Sequence, residues 1–406
     1  MSPAVRETRS QAFTARWLWP GPGRPRENWQ VTLRDGRVSA VGPRRLGQPA
    51  QDLGEGLLLP GLVNAHCHLE LAGLAGLLPP DGDFVGWVQR LVRLRPSQDP
   101  AQAARQTADA ASRMARCGVA LVADITNTGL ARQALFAAGL HAISLFEALG
   151  PSNCQPPPPQ LTWQDGRLAA QGVAAHAPYS VPGPRIAALK ALAGGQAFSI
   201  HMAESIAEME LFAGDGPQGR RLAEFLFGRG ADVAGLGLLA RRPLAHLRAL
   251  GVLDRRTLLV HGAQLSPDEA HELAADGPSL CLCPRSNLGL TRTMAPAPLL
   301  LAAGVNLCLG TDSPASTPDL NLWNEMKALA EHYPGLAPDA ILEMATGGGA
   351  RALGLDQRFG RLAEGMHAPL CFVPLDSRPE LKHVLEAVVL AAGPAAARAI
   401  GNEKIS

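Results

Sequence analysis

The sequence predicts an α/β fold, a (β/α)8 TIM barrel joined to a small β-sandwich unit built from both chain termini. Three observations carry this. Eight short apolar runs recur along the chain and end in polar residues, helix-like stretches separate them, and segments with strand-like alternation flank the set at either end. The organisation that follows is residues 1–58 for the N-terminal part of the β-unit, 59–354 for the barrel, and 355–406 for the C-terminal part of the β-unit and tail.

The first flanking segment is QVTLRDGRVSAVG (30–42), whose apolar–polar alternation around Arg34-Asp35-Gly36 is a hairpin signature. Four barrel strands follow: LLLPGLVNAHCHL (57–69), GVALVADIT (118–126), HAISLFEAL (141–149) and GVAAHAPYS (172–180). The second four are AFSIHMAES (197–205), TLLVHGAQL (257–265), SLCLCPRSN (279–287) and NLCLGTDSP (306–314). Most are near-continuous apolar runs, as expected of strands covered on both faces. The stretches ARQTADAASRMARC, PRIAALKALAGG and SPDEAHELAADG read as helices, the last opened by Ser266 and Glu269 at capping-box spacing. The proline-rich PSNCQPPPPQ (151–160) predicts an extended surface loop, and residues 206–256 a long insertion with helical stretches IAEMELFAG and RRLAEFLFG. GRLAEGMHAPLCFVPL (360–375) reads as a turn and a strand able to pair with the N-terminal segment.

Composition narrows the partners. Lysine plus arginine nearly cancel aspartate plus glutamate, and a net charge of +1 gives no field favouring nucleic acid or an anionic membrane. Aromatic residues make up only 4%, too few for base-stacking platforms. No run approaches the roughly 20 apolar residues of a membrane span, and the N-terminal stretch lacks a signal peptide's apolar region. Seven cysteines without a disulfide framework suit reduced thiols in a cytoplasm. The expected partner is a small-molecule substrate. A homodimer through helices or the β-unit is open, although no exposed apolar stripe argues for it.

In LVNAHCHLEL (62–71), strand alternation puts His66 and His68 on one face and Cys67 on the other. Two imidazoles spaced roughly 7 Å along a strand can converge on one metal ion. An isolated H-x-H pair is more often two histidines hydrogen-bonded in a turn. The rest of the chain decides: His66 and His68, Asp124, Glu147, His176, His201 and Glu204, His261, Asn287 and Asp312 all fall at or just past strand C-terminal ends. That end of such a barrel carries the active site. Polar groups delivered there from so many strands are hard to explain as packing.

The ordered set PGLVNAHCHLEL, HMAES, VHGAQL, CPRSN and GTDSPAS resembles the amidohydrolase superfamily, in its metal-dependent deaminase and chlorohydrolase branch, over residues 30–375. NAHCHLEL followed by GDFVGWVQRLVRLR (82–95) is most similar to aminodeoxyfutalosine deaminases of menaquinone synthesis. The resemblance implies a mononuclear site with His66, His68, His201 and Asp312 as ligands and Glu204 and His261 as proton carriers. It implies one divalent ion, zinc first, with Fe2+ or Mn2+ as alternatives. No barrel lysine stands where one bridges two metals in binuclear relatives. The implied reaction is hydrolytic deamination of an adenine-type nucleoside. Metal-bound hydroxide attacks the ring carbon, Asp312 takes the water's proton, His261 orients the attacking oxygen, Glu204 protonates the ring, and ammonia leaves.

The same resemblance implies substrate contact by His176, while Trp87 divides between stacking on substrate and loop packing. Nucleoside-deaminase relatives carry a ribose-holding glutamate where this chain has Val85. Glu70 and Asn287 are expected to support the site. His141, His246, His271, His332, His367 and His383 are expected to have no role, and APL at 368–370, in place of the relatives' ADL, to matter only to the β-unit. Alternative readings are a chlorohydrolase, a guanine- or cytosine-type deaminase, and a non-catalytic metal-binding barrel. Glu204 favours deamination, because ring protonation wants a carboxylic acid, and an idle acid and base argue against a purely structural metal.

Overall fold

The computed structural model describes residues 10–45, 47, 49–150, 156–231, 233–391 and 398–400. Its centre is a parallel sheet of eight strands in chain order: β1 (Leu62–Cys67), β2 (Val119–Thr126), β3 (His141–Ala148), β4 (Arg167–Ala175), β5 (Phe198–Met202), β6 (Thr257–His261), β7 (Ser279–Leu282) and β8 (Asn306–Leu309). Every residue of β1, β2, β5, β6 and β7 is buried, the consequence of covering both faces of apolar runs. Each buried leucine or valine contributes about 1.5–3 kcal/mol, so this core outweighs any surface interaction in the molecule. The first half of β4 alternates in burial instead, where it pairs antiparallel with the short strand Trp163–Gln164.

The sheet closes on itself at the seam between β8 and β1. Cys67 and Asp312 form a parallel bridge, and the amides of Thr311 and Asp312 donate to the His66 carbonyl at 3.0 and 3.1 Å. Gly310 makes the approach possible, because a Cβ there would lie 2.7 Å from the His66 carbonyl oxygen and 2.8 Å from Cys281 Sγ.

The run at 57–69 is not one strand, as the sequence suggested. Gly56–Pro60 pairs with Leu370–Pro374 and Trp17–Leu18 in a five-stranded sheet from the two ends of the chain, and only Leu62–Cys67 enters the barrel. The chain changes partners at Gly61, whose amide donates to Pro369 while that of Leu62 donates to Gly118. Pro60 offers no amide to continue the ladder. The run at 279–287 is also shorter as a strand, since Pro284 begins a helix, a position that proline favours.

The expected hairpin forms from Trp29–Arg34 and Arg37–Pro43, with Asp35 at φ +51° and Gly36 at φ +74°, the two left-handed residues of a type I′ turn. It lies in a four-stranded sheet with Ser10–Thr14 and Gln51–Asp52. Phe13, Val31 and Leu33 from this sheet share one apolar cluster with Leu58, Leu370 and Phe372 from the other, which makes the pair a sandwich.

Four helices position the site. These are α1 (Phe84–Leu94) after β1, α2 (Ile206–Ala213) after β5, α3 (Pro267–Asp276) after β6 and α4 (Pro284–Leu290) after β7. The insertion after β5 continues with helices Pro217–Phe227 and Pro243–Ala249. Of the proline-rich segment 151–160, residues 151–155 lie outside the described residues. Among those described, no helix is long and apolar enough to cross a membrane.

Candidate active site and metal centre

His66 is the penultimate residue of β1, His68 lies just past its end, His201 lies in β5, and Asp312 follows β8 across the closing seam. Their side chains converge. His201 Nε2 is 3.2 Å from His66 Nε2, and Asp312 Oδ1 is 3.7 and 3.6 Å from Nε2 of His66 and His68. The three imidazoles form one set with ligand atoms within 4.8 Å of one another, and His66, His261 and Asp312 form a second. Backbone strain collects at the same place: Ala203, His261 and Asp312 have φ of +51°, +77° and +56°, a region non-glycine residues seldom occupy.

The donor set fits a divalent ion of the zinc type. Burial, followed by repulsion from His66, pulls the basicity of His68 down to about 3, and burial also holds His201 well below the usual range. Both rings are therefore neutral, the form that ligates metal. His201 Nδ1 lies 2.7 Å from the His176 carbonyl, which can only accept, so Nδ1 carries the proton and Nε2 the lone pair facing the cluster. His66 Nδ1 is buried without a hydrogen-bond partner. Burial raises the Asp312 carboxyl, but the neighbouring imidazoles, His66 foremost and then His261 and His68, outweigh that and hold it well below its ordinary value. Its Oδ2 accepts from Ser286 and, at 3.1 Å, from Ser316, which leaves Oδ1 toward the histidines.

Beside this cluster stand the two proton-carrying groups. Glu204 is 6% exposed, and its Oε1 is 3.6 Å from His261 Nε2. Burial, then the charges of Asp312 and Glu208, push the Glu204 carboxyl well above its usual range, which favours the protonated form. Asn287 Nδ2 donates to His261 Nδ1 at 3.1 Å, which assigns the ring proton to Nε2, on the side of Glu204. Burial lowers His261 to about 4, so the ring is a neutral donor there.

Other buried groups hold the frame. Asp124, lifted to about 8 by burial, accepts from the Leu69 amide at 2.9 Å and pins the turn that follows His68. Glu70 accepts from the hydroxyls of Thr126 and Thr128, both at 2.8 Å, and from Arg95. Glu147, raised to about 8 by burial, accepts from Asn127 and leaves Oε1 without a partner, 4.0 Å from His201 Nδ1.

His176 follows β4, and Nδ1 lies 2.6 Å from Ser180 Oγ. The same hydroxyl lies 3.1 Å from the Ala177 carbonyl, so Nδ1 is engaged with Ser180 and Nε2 is the ring nitrogen outside that pair. Trp87 packs within α1's apolar face at 6% exposure and spends its indole N–H on the Leu78 carbonyl at 3.2 Å, the arrangement of a packing residue. Val85 is 1% exposed in the same cluster. Of the histidines expected to be idle, His141 and His246 are buried and accept from the amides of Leu168 and Leu239, and His367 stacks on Trp163. His271, His332 and His383 are on the surface. Sequence reasoning missed Ser286, Ser316 and Glu208. Each lies within a few residues of a motif already recognised, and that adjacency was the available signal.

A family model for the amidohydrolase family matches residues 57–393, the barrel together with the terminal strands it leans on. The chain belongs to the amidohydrolase family. As a member it is a hydrolase acting on carbon–nitrogen bonds other than peptide bonds. Among relatives of this amidohydrolase, a 5-methylthioadenosine/S-adenosylhomocysteine deaminase of Nitratidesulfovibrio vulgaris strain Hildenborough is 31% identical, over 87% of this chain and 80% of that protein. The aminodeoxyfutalosine deaminase of Deinococcus radiodurans is 28% identical over 86% of each chain. Among solved structures, an adenosine deaminase from Xanthomonas campestris with bound zinc superposes with a TM-score of 0.77 at 28% identity, covering 95% of this chain and 90% of that one.

Proposed function

We propose that this amidohydrolase is a metal-dependent deaminase of adenine-type nucleosides, releasing ammonia from the exocyclic amine. The carrying observation is the Glu204 carboxyl, buried 3.6 Å from His261 beside the ligand cluster, where burial favours its protonated form. A purine ring that loses aromaticity must gain a proton on nitrogen, and a neutral carboxylic acid held in a dry site can supply it.

A divalent ion held by His66, His68, His201 and Asp312 would supply the Lewis acidity that makes water a nucleophile near neutral pH. The occupant is proposed as zinc, because three imidazoles and a carboxylate suit it and the zinc-bound Xanthomonas campestris structure shares the fold. The chain's own residues do the rest. Asp312, anchored through Oδ2 by two serine hydroxyls, presents Oδ1 to the cluster, where its second lone pair can accept the water's proton. His261 donates through Nε2 to the oxygen that attacks, its tautomer held by Asn287. Glu204 gives its proton to the ring, and His176, anchored through Nδ1 by Ser180, contacts the substrate through Nε2.

The relatives named for 5-methylthioadenosine, S-adenosylhomocysteine and aminodeoxyfutalosine support a substrate with an adenine base and a modified 5′ position. Aminodeoxyfutalosine, and with it a place in menaquinone synthesis, is the finer reading. The six described cysteines are all buried, with no disulfide among them, which supports a reducing, cytoplasmic setting. The test is ultraviolet-monitored deamination of these three nucleosides and adenosine by zinc-loaded and chelator-stripped protein. Metal-dependent conversion of adenine to hypoxanthine in at least one is expected; inactivity toward all four by protein holding one equivalent of zinc would refute the reading.

A further inference from the structure

The sequence S-x-x-E begins two helices near the site, and the two behave differently. At α3, Ser266 accepts from the Glu269 amide, and the Glu269 carboxylate returns to the Ser266 amide at 2.9 Å, an ordinary capping box. At α2, Ser205 likewise accepts from the Glu208 amide, at 3.3 Å. The Glu208 carboxylate, however, bypasses the Ser205 amide. Its Oε2 accepts from the amide of Glu204 at 3.0 Å, and the Ala203 amide contributes to the same carboxylate. Glu208 is 0% exposed, and its Oε1 is buried with no partner.

Glu269 keeps 8% exposure and pairs with Arg242, whereas Glu208 is fully buried with no cation beside it among the described ion pairs, a cost that calls for a return beyond capping. The amides it holds belong to the turn that aims Glu204. Ala203, at φ +51°, is in a conformation that alanine resists, and that twist carries the chain from β5 into the turn and points Glu204 at His261. On the far side, the Ala203 carbonyl accepts from the Gln264 amide at 2.9 Å, so the turn is clamped from both ends.

We propose that Glu208 is a positioning residue for the catalytic acid: it holds the left-handed Ala203–Glu204 turn and so sets the Glu204 carboxyl against His261. This rests on the reading of Glu204 as the ring-protonating acid. The test compares Glu208→Ala, Glu208→Gln, Ser205→Ala, Glu204→Gln and the Glu204→Gln/Glu208→Ala pair, all zinc-loaded. Glu208→Ala should lower kcat at least about 10-fold with KM and zinc content near wild type. Glu208→Gln, which keeps an acceptor oxygen, should recover most of that loss. Ser205→Ala, which removes only the ordinary cap, should lower Tm and leave kcat unchanged. In the Glu204→Gln background the Glu208→Ala loss should vanish, because two residues acting through one step are not additive.

Additive losses, or a folded Glu208→Ala protein with wild-type kcat, would overturn the proposal. Should Glu208→Ala fail to fold, Glu208→Gln alone decides: a 10-fold loss without recovery refutes the amide-acceptor role. A wild-type rate for Glu204→Gln would instead overturn the reading of the acid. Crystal structures give an answer independent of turnover. In Glu208→Ala, Ala203 should leave the left-handed region and the Glu204–His261 separation should grow, and an unchanged turn refutes the proposal.

Discussion

Oε1 of Glu204 stands 3.6 Å from Nε2 of His261, although the two residues come from neighbouring barrel strands and are separated by the long insertion after β5. A buried acid whose protonated form is favoured faces a neutral imidazole that presents a proton, so two donors meet at one reacting centre.

Glu204→Gln keeps the size and hydrogen-bonding ability of the side chain but removes the acid. It should retain zinc and bind substrate with turnover reduced at least about 100-fold, the usual weight of general acid–base catalysis. Steady-state kinetics with metal analysis checks this, and wild-type turnover would remove Glu204 from the mechanism.

The ligand set and its supports should separate by degree. His66→Ala, His68→Ala, His201→Ala and Asp312→Ala should each leave the protein substoichiometric in zinc. Ser286→Ala and Ser316→Ala, which strip hydrogen bonds from Asp312 Oδ2, should bind zinc only about 10-fold more weakly. Competition with a chromophoric chelator measures both; full occupancy in all four ligand variants would refute the set.

Gly310→Ala places a Cβ 2.7 Å from the His66 carbonyl oxygen and 2.8 Å from His66 Cβ. The seam must then spread, at about 1–3 kcal/mol, and His66 must move with it. Thermal unfolding and zinc titration should register lower Tm and weaker binding together. A wild-type Tm would mean that the seam yields elsewhere.

His141 lies away from the metal ligands, in contact with Trp163, Phe359 and His367. Burial, then the neighbouring His367, lowers it to about 3 from an ordinary 6.5. Between these values the unfolded chain binds a proton that the folded chain does not. Stability is therefore intact above about pH 6.5 and is lost progressively as pH falls toward 3. His141→Gln, which can still accept from the Leu168 amide but does not titrate, should move acid unfolding to lower pH. An unmoved transition monitored by circular dichroism would exclude His141 as a contributor.

Much of the barrel was legible because its strands are apolar runs with polar ends, a pattern written in consecutive residues. LVNAHCHL, SIHM and GTDS each bring their ligand to a strand's end, so strand order alone gathers His66, His68, His201 and Asp312 at one mouth. Gly61 was harder to read. Its exchange of partners depends on Pro369 and Gly118, far away in sequence, and no local pattern announces it. Trp87 was undecidable for a similar reason, since an indole beside a pocket and an indole packed against the Leu78 carbonyl have the same neighbours in sequence.

By itself, the sequence determined the residue types available for chemistry and the strand ends that present them, because both follow from short-range periodicity. Tertiary structure alone decided which of those groups are charged and which way they face. Burial together with Asp312 and Glu208 favours the protonated form of Glu204, and His261 takes its tautomer from Asn287 on another strand's helix. Protonation and orientation are set by desolvation and by partners distant along the chain, and those exist only once the barrel has closed.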